Sequence, residues 1–354
     1  MTSSDRRIAI LAEGTLDFHF GKTAISILRY MPQDVVAVID AEHVGMTAHQ
    51  LLGVGGPIPI CRTVAETLPF RPTQLLIGVA PRGGNLPPEW RGHIVNALNA
   101  GLDVVSGLHF MLGEDPEFQE LAKVKGCRIE DVRRAPDNLE VAELRPRRKR
   151  SRVVTFVGSD CAVGKMTAAL EMRAAAKRMG IDVAFVATGQ TGIMLAGHGI
   201  SVDRVVGDFM AGAVESLVVE AAERADLVLV EGQGSLLHPG YSGVTLALLH
   251  GSSPDALVLV HPPSRRTIDG YGLTIPPVER LVAIYEEAAS WIKPARVAAI
   301  ALNTRDMNAE ETDAAIRETE SRTGLPATDP VKFGGERLVE ATVDRVLAPS
   351  SPSV

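Results

Sequence analysis

One stretch, residues 152–167 with the sequence RVVTFVGSDCAVGKMT, constrains the fold of this chain more than any other. Its first part, residues 153–157, is β-branched and aromatic on both faces, which predicts a central parallel strand covered by helices on each side. After Lys165, apolar residues recur at helical spacing until Gly180 supplies a stop. The stretch therefore predicts a strand, a loop and a helix in succession, with the loop amides at the helix N-terminus, where they would bind an anion such as phosphate.

The loop departs from the common phosphate-binding pattern G-x-x-x-x-G-K-[ST] at two points. Five residues separate Gly158 from Gly164, one more than usual. Met166 follows Lys165 where the pattern has serine or threonine, and Thr167 comes one step later. In a nucleotide hydrolase the missing hydroxyl ligates magnesium. The sequence thus predicts a phosphate cradle but puts ordinary Mg-ATP chemistry in doubt; a glycine turn with a surface lysine is the simpler alternative.

The longer loop resembles that of dethiobiotin synthetase and its relatives in the SIMIBI group of P-loop proteins, which carry G-x-D-x-x-V-G-K-T. Five residues match this pattern: Gly158, Asp160, Val163, Gly164 and Lys165. The resemblance implies a P-loop NTPase-like domain with a parallel sheet. It assigns cofactor binding to the loop and the helix start, Gly158, Ser159, Asp160, Cys161, Ala162, Val163, Gly164, Lys165, Met166 and Thr167.

The composition is that of a soluble α/β enzyme. The 354 residues suffice for two domains, and 45% of them are hydrophobic, 22% charged and 4% aromatic. The net charge of -7 argues against a nucleic-acid partner, and no apolar run reaches the roughly eighteen residues that a membrane helix needs. Three scattered cysteines predict neither a disulfide framework nor a metal cage. We therefore expect a cytoplasmic homo-oligomer that binds neither nucleic acid nor membrane.

Apolar runs at regular spacing divide the chain into two α/β domains. Residues 1–132 predict a Rossmann-like domain, with strand candidates at 8–11, 35–39, 75–79, 104–105 and 127–130. A basic linker is expected at 133–151, the P-loop domain at 152–347, and a disordered Pro/Ser-rich tail at 348–354. The basic residues of the linker predict a solvated face or, as the alternative, contacts to the phosphates of a ligand; they are Arg145, Arg147, Arg148, Lys149 and Arg150.

Glycine-rich turns in the first domain are further candidates for ligand loops. Gly14 and Gly21-Lys22-Thr23 look like a second phosphate loop. Six residues separate the two glycines, however, which does not fit, and a helix start with a solvated lysine is the alternative. The turns at 53–57 and 80–90 either contribute to a ligand site or are ordinary turns.

Polar residues after the later strands predict the reacting side of the site. Glu231 ends the strand candidate 227–230, where a P-loop protein holds a second acid. Asp208 stands at a predicted helix start, where it is either an N-cap or an acid-base group. His238 is either a base or a structural histidine. The catalytic candidates are thus Asp208, Glu231 and His238, and the substrate-binding candidates are Gln190, Thr191, Gln233, Ser235 and Tyr241.

Across both domains the chain resembles the bacterial DgcN-like family of D-glutamate N-acetyltransferases, once catalogued only as a domain of unknown function. The blocks GSDCAVGKMT, TGQTGI, DFMAGAVE, EGQGSLLHPGYSGVTLALLHGS and LNT occur in the same order. The resemblance implies acetyl transfer from acetyl-CoA to the amino group of D-glutamate or a related D-amino acid, with no ATP hydrolysed. The lack of a hydroxyl at Met166 then does no harm, because the diphosphate of coenzyme A can bind a helix N-terminus and Lys165 without magnesium.

The resemblance to dethiobiotin synthetase adds one more residue. An asparagine after the last long strand reads the adenine ring in those proteins, and Asn303 follows the strand candidate 297–302 here. The resemblance therefore implies that Asn303 contacts the adenine ring. ATP and coenzyme A carry the same ring.

The residues leave three alternatives open. Cys161 could carry the acyl group itself, since thiols at helix N-termini are often reactive, or it could be a small packed thiol. The P-loop also fits an ATP-dependent ligase or kinase of the dethiobiotin synthetase type, which would use ATP and magnesium. A non-catalytic, nucleotide-responsive binding protein is the third possibility.

Overall fold

A computed structural model describes residues 6–16, 21–79 and 81–347 of the chain. The chain divides into two compact units, one of residues up to 134 together with 193–197, and one of residues 135–192 and 198 onward. Residues 135–151, from the predicted linker, group with the second unit. The predicted tail at 348–354 lies outside the described residues. In the described part of the chain, no helix is both long and apolar enough to cross a membrane.

The first unit is built on a parallel sheet of six strands. Its strands are β1 (Ile8–Leu11), β2 (Val35–Ile39), β3 (Ile60–Cys61), β4 (Gln74–Ile77), β5 (Asp103–Ser106) and β6 (Ile129–Asp131). Its helices are α1 (Lys22–Tyr30), α2 (Ala48–Leu52), α3 (Val64–Thr67), α4 (Arg91–Asn99) and α5 (Pro116–Lys125). The strand order β3-β2-β1-β4-β5-β6 is that of a Rossmann sheet, which confirms the predicted fold class.

The second unit is built on another parallel sheet of six strands. Its strands are β7 (Arg152–Gly158), β8 (Val183–Val186), β9 (Leu227–Val230), β10 (Ala256–His261), β11 (Arg296–Leu302) and β12 (Ala327–Thr328). The helices that follow them are α6 (Lys165–Arg178), α7 (Gln190–Ala196), α8 (Gly207–Arg224), α9 (Ser242–Ser252), α10 (Val278–Ser290), α11 (Ala309–Thr323), α12 (Pro330–Phe333) and α13 (Glu336–Leu347). The order β12-β11-β10-β7-β9-β8 places β7 at the centre, as the sequence predicts.

Both faces of β7 are buried, which explains why its sequence lacks an alternating pattern. Val154 and Phe156 pack with apolar residues of α6 and α13. On the opposite face, Val153 packs with α8 and Val157 packs with α10. The central strand is therefore held from both sides, and its carboxyl end is fixed relative to those of its neighbours.

The basic run that precedes β7 lies at the amino-terminal edge of this sheet. Arg150 pairs through Nε with Asp226 at 2.6 Å, and Arg148 binds the same carboxylate. Arg145 pairs through Nε with Glu215 at 2.9 Å. Asp226 directly precedes β9, whereas the phosphate loop lies at the other end of β7, seven residues or roughly 20 Å away. These arginines therefore stabilise the amino-terminal edge and do not face the phosphate loop.

Candidate active site

The loop predicted to cradle a phosphate joins β7 to α6. Gly164 has a φ of +106° and Ala162 a φ of +52°, so two of its residues adopt left-handed backbone conformations between residues of negative φ. Such alternation turns successive N–H groups toward one centre and makes an anion-binding concavity. A left-handed alanine is unfavourable by itself and is typical of functional loops. The loop is thus shaped to hold an anion at the start of α6.

Lys165 reaches the loop through a slot between two glycines. The side chain is buried, and its Nζ donates to the carbonyl of Asp160 at 2.8 Å. A β-carbon on Gly158 would lie 3.2 Å from Cδ and Nζ of Lys165, and one on Gly232 would lie 2.8 Å from Cδ. The β-carbon on Gly232 would also lie 1.8 Å from the carbonyl oxygen of Phe156. Main-chain geometry therefore sets the path of the lysine toward the anion site.

Asp160 secures the loop to the segment that follows β10. Its buried carboxylate accepts hydrogen bonds from the N–H of Cys161 at 2.7 Å, from Nη1 of Arg265 at 3.0 Å and from the N–H of Asp269 at 2.9 Å. Arg265 also compensates its charge. The carboxylate of Asp160 thus accepts three hydrogen bonds from protein donors, and the predicted contact to a cofactor stays a prediction.

Ser159 pairs with a histidine that sequence reasoning missed. The buried Ser159 hydroxyl lies 2.9 Å from Nδ1 of His261, the last residue of β10. Burial, with smaller effects of Arg266, Arg265 and Arg322, lowers the pKa of His261 from 6.5 to about 4. His261 is therefore neutral at neutral pH, and it supports Ser159 without adding charge.

Glu231 follows β9 and turns toward the loop after β8. Its Oε2 accepts from the N–H of Thr188 at 2.9 Å and of Gly189 at 3.2 Å, which stabilises negative charge on the carboxylate. A β-carbon on Gly192 would lie 2.2 Å from the same oxygen. The predicted position at the carboxyl edge of the sheet is thus observed, and the glycine in α7 makes room for the carboxylate.

Gln190, Thr191 and Gln233 gather around Glu231. Gln190 and Thr191 begin α7 and are buried. The amide of Gln233 donates to the hydroxyl of Thr188 at 3.3 Å, and that hydroxyl donates to the carbonyl of Glu231 at 2.8 Å. One carboxylate and two predicted substrate-binding segments therefore lie in a single group.

Tyr285 supports this group from α10 and was not predicted. It is fully buried, and its hydroxyl donates to the carbonyl of Gly158 at 2.6 Å and accepts from the N–H of Leu236 at 3.2 Å. Ser235 Oγ lies 3.3 Å from the same hydroxyl. Burial raises the pKa of Tyr285, so it stays a phenol. The predicted substrate contact Ser235 thus pairs with Tyr285, which joins the loops after β7 and β9.

His238 presents a hydrogen-bond donor. Its Nδ1 accepts from the N–H of Gly240 at 3.1 Å, so the neutral ring carries its proton on Nε2. The ring stands between Tyr241 and Tyr271, with centroid distances of 4.6 and 4.9 Å, and both tyrosines are half-exposed. The predicted role as a base would require Nδ1, which Gly240 occupies; the geometry favours a donor.

His238 also lies against the phosphate loop. A ring nitrogen of His238, Sγ of Cys161 and a carboxylate oxygen of Asp160 all lie within 4.8 Å of one another. The loops after β7 and β9 therefore meet at Cys161 and His238. Sequence spacing could not show this contact, since 77 positions separate the two residues along the chain.

Asp208 is the remaining predicted catalytic residue. It is exposed in the first turn of α8, and the helix is preceded by Val206 without a side-chain cap, so the interpretation of Asp208 as an N-cap is wrong. Among the described residues, no hydrogen bond or ion pair joins Asp208 to Glu231 or His238. The catalytic role of Asp208 stays a prediction.

Asn303 directly follows β11 and binds the main chain of the phosphate loop. Its Nδ2 donates to the carbonyl of Val163 at 3.1 Å, and its Oδ1 accepts from the N–H of Arg305 at 3.3 Å. These bonds brace the loop, and the adenine contact stays a prediction. Met166 and Thr167 take the second and third positions of α6, half-buried.

Two family descriptions match the chain. Residues 41–135 match a domain of unknown function described as a Rossmann-like domain, DUF1611_N. Residues 140–339 match a domain of unknown function described as a P-loop domain, DUF1611_C. The two matches follow the order of the two sheets.

Named relatives cover most of the chain. A D-glutamate N-acetyltransferase from Tritonibacter scottomollicae is 38% identical over 328 residues, 92% of this chain and 95% of that protein. A second, from a Pseudoalteromonas species, is 36% identical over 279 residues, 78% of this chain and 83% of that protein. The crystal structure of a DUF1611 family protein from Anabaena variabilis has a TM-score of 0.92 at 40% identity and covers 96% of this chain and 100% of its own. The chain belongs to the DUF1611 family, whose relatives include D-glutamate N-acetyltransferases.

Proposed function

We propose that this protein is an N-acetyltransferase that moves the acetyl group of acetyl-CoA to the amino group of D-glutamate or a closely related D-amino acid. The observation that carries the proposal is the 38% identity, over 92% of the chain, to a protein named D-glutamate N-acetyltransferase. Both domains are included in that match. We also propose that the enzyme acts as a homo-oligomer in the cytoplasm, where acetyl-CoA is available.

The reaction needs stabilisation of the thioester oxygen as it becomes negative, and the cradle offers it. Preorganised N–H groups and a cation aimed at a developing oxyanion are usually the largest contribution to such catalysis. The loop supplies N–H groups, Lys165 supplies a cation, and His238 adds an N–H from the opposite loop.

The reaction also needs a proton acceptor, because the amine attacks only when it is neutral. Among the three predicted catalytic residues, Glu231 is a buried carboxylate beside the cradle, Asp208 is exposed on α8 and His238 presents a donor. We assign the proton acceptor to Glu231.

We assign the donor to the loop at 158–167 and to Asn303. Acetyl-CoA offers two groups that suit an anion site, the diphosphate and the thioester oxygen in the transition state. Neither requires a magnesium-binding hydroxyl, which is consistent with Met166 after the lysine. The acceptor is assigned to Gln190, Thr191, Gln233, Ser235 and Tyr241, which lie in the segments after β8 and β9.

An ATP-dependent ligase or kinase is the second candidate. The Gly164-Lys165 pair and the acid after β9 favour it, because both recur in enzymes that transfer phosphoryl groups. Met166 disfavours it, since the residue after the lysine normally binds magnesium through a hydroxyl.

One assay separates the possibilities. The purified full chain is incubated with acetyl-CoA and D-glutamate without ATP, and coenzyme A and N-acetylglutamate are measured by liquid chromatography and mass spectrometry. L-Glutamate serves as the matched control. Equal amounts of both products, formed faster from the D-isomer, support the transferase. ADP release from Mg-ATP without acetyl transfer would indicate the ligase or kinase, and ligand binding without any product would indicate a binding protein.

A further inference from the structure

The thiol of Cys161 lies in the phosphate loop, close to His238. Its Sγ is within 4.8 Å of a ring nitrogen of His238. It is part of no disulfide and is half-buried, so it is both sheltered and reachable. It sits in the loop whose N–H groups converge before α6. A thiol, a histidine ring and an anion cradle thus lie close together.

Two cations bind the main chain of the loop that carries this thiol. Arg265 donates to the carbonyl of Cys161 at 2.8 Å and to the carboxylate of Asp160 at 3.0 Å, so the charge of that carboxylate is compensated. The Nζ of Lys165 lies 2.8 Å from the carbonyl of Asp160. Cations near a cysteine favour the thiolate, which is its nucleophilic form.

We propose that Cys161 is the nucleophile of the transferase and carries the acetyl group as a thioester. In the first step, the Cys161 sulfur attacks the carbonyl carbon of acetyl-CoA, the bond from that carbon to the coenzyme A sulfur breaks, and the thiol proton passes to coenzyme A. In the second step, the amine of the acceptor attacks the acetyl-cysteine and gives its proton to Glu231, the amide bond forms, and the Cys161 sulfur leaves as a thiolate that regains this proton from Glu231. No oxidant or nucleotide is needed, and the inference rests on the proposed function.

The proposal decides which end of the donor lies in the cradle. The long pantetheine arm separates the thioester of acetyl-CoA from its diphosphate. Because Cys161, His238 and Lys165 all lie at the loop, the cradle receives the acyl end, and its N–H groups and Lys165 stabilise the oxyanion of both steps. This assignment replaces the diphosphate that the sequence pattern predicts at the loop.

His238 is assigned to the same oxyanion or to the thiolate as an N–H donor. Gly240 fixes the tautomer, and Tyr241 and Tyr271 hold the ring. A ring with its proton on Nε2 donates without first being protonated. With this tautomer, His238 can donate a hydrogen bond to a thiolate. It is less suited to act as a base, because Gly240 occupies Nδ1.

The decisive experiment omits the acceptor. The full chain is mixed with acetyl-CoA and labelled coenzyme A, and exchange of label into acetyl-CoA is followed, with rapid quenching and peptide mass mapping in parallel. We expect exchange and one added acetyl group on the peptide that contains Cys161. D-Glutamate added afterwards should remove the acetyl group and release N-acetylglutamate.

Variants make the assignment specific. Cys161→Ala should abolish exchange and lower kcat by about a thousandfold or more, whereas Cys127→Ala, at the other half-buried cysteine, should leave both unchanged. Cys161→Ser, with circular dichroism of each variant, keeps the test valid if alanine disturbs the loop. Initial rates of the wild type should give parallel double-reciprocal lines.

Two outcomes separate this inference from the function on which it rests. Full turnover by folded Cys161→Ala, or intersecting lines with neither exchange nor an adduct, would overturn the acetyl-cysteine while leaving the transferase in place. Acetylation of Cys161 without any transfer to D-glutamate would contradict the proposed acceptor and still support the nucleophile.

Discussion

The hydroxyl of Tyr285 donates to the carbonyl oxygen of Gly158 at 2.6 Å. A residue of α10 thereby holds the end of the central strand at the point where the phosphate loop begins. The same hydroxyl accepts from Leu236, so the two loops that meet at Cys161 and His238 share one buried support. Tyr285 is a positioning residue, since it touches main chain and Ser235 and does not face the reactants.

Tyr285→Phe should destabilise the fold by about 1–3 kcal/mol, because it leaves the Gly158 carbonyl and the Leu236 N–H buried without their partner. Urea unfolding checks the free energy. The matched control is Tyr271→Phe, whose half-exposed hydroxyl has no hydrogen bond among the described residues; it should change the free energy of unfolding little. Equal stability of wild type and Tyr285→Phe would remove Tyr285 from this support.

Lys165→Ala should lower kcat/KM for acetyl-CoA by about ten- to a hundredfold, as expected when a charge-assisted hydrogen bond worth roughly 1.5–3 kcal/mol is lost. Steady-state kinetics measures it. Lys177→Ala, an exposed lysine near the end of the same helix, is the control and should behave as the wild type. An unchanged kcat/KM in Lys165→Ala would exclude the lysine from the site.

Glu231→Gln should lower kcat by about a hundredfold or more with little change in KM. The amide oxygen still accepts from Thr188 and Gly189, but it cannot take a proton from the amine. Glu220→Gln, on the exposed face of α8, serves as the control. If the Glu231 variant keeps full kcat, another group must accept the proton.

Gly232→Ala should abolish activity and lower the melting temperature, because its β-carbon would lie 1.8 Å from the carbonyl oxygen of Phe156 and 2.8 Å from Cδ of Lys165. Main chain cannot shift away without moving β7. Gly243→Ala is the control, since a β-carbon there meets no heavy atom within 4 Å. Scanning calorimetry and kinetics test both variants, and a fully active Gly232→Ala would contradict the described slot.

Acid should weaken the fold through His261. The pKa of His261 is 6.5 in the unfolded chain and about 4 in the folded protein, so the unfolded state binds more protons between these values. Stability is therefore full above pH 6.5 and declines as the pH falls toward 4, by roughly 2 kcal/mol between pH 7 and 5. His261→Asn should lose this slope in urea titrations, whereas His198→Asn, at an exposed histidine, should keep it.

Regular structure could be predicted closely because both sheets consist of short apolar runs separated by polar turns. The strands at Ile8–Leu11, Val35–Ile39 and Leu227–Val230 have the predicted bounds. The sequence does not predict strand β3, because its two residues are too few to show a periodic hydrophobic pattern. The positions of Lys165, at the start of α6, and of Asn303, directly after β11, could be predicted because both belong to sequence patterns at fixed places in the fold.

The supports of the site could not be predicted. Tyr285 lies on the apolar stripe of α10 and looks like a core residue, and no pattern shows that its hydroxyl reaches the end of β7. His261 is the last residue of the apolar strand β10, and no pattern shows that its ring reaches Ser159. Asp208 illustrates a different difficulty. An acidic residue near a helix start is common, and only the fold shows that its side chain faces solvent. Contacts between distant segments are the part that periodicity does not encode.

The slot between Gly158 and Gly232 has an evolutionary consequence. Since the lysine is guided by the main chain at these glycines, side chains of the surrounding loops can change without altering its path. New acceptor preferences are therefore accessible by changing loop residues alone, and engineered members of the family should accept other amines while they retain the same acyl donor.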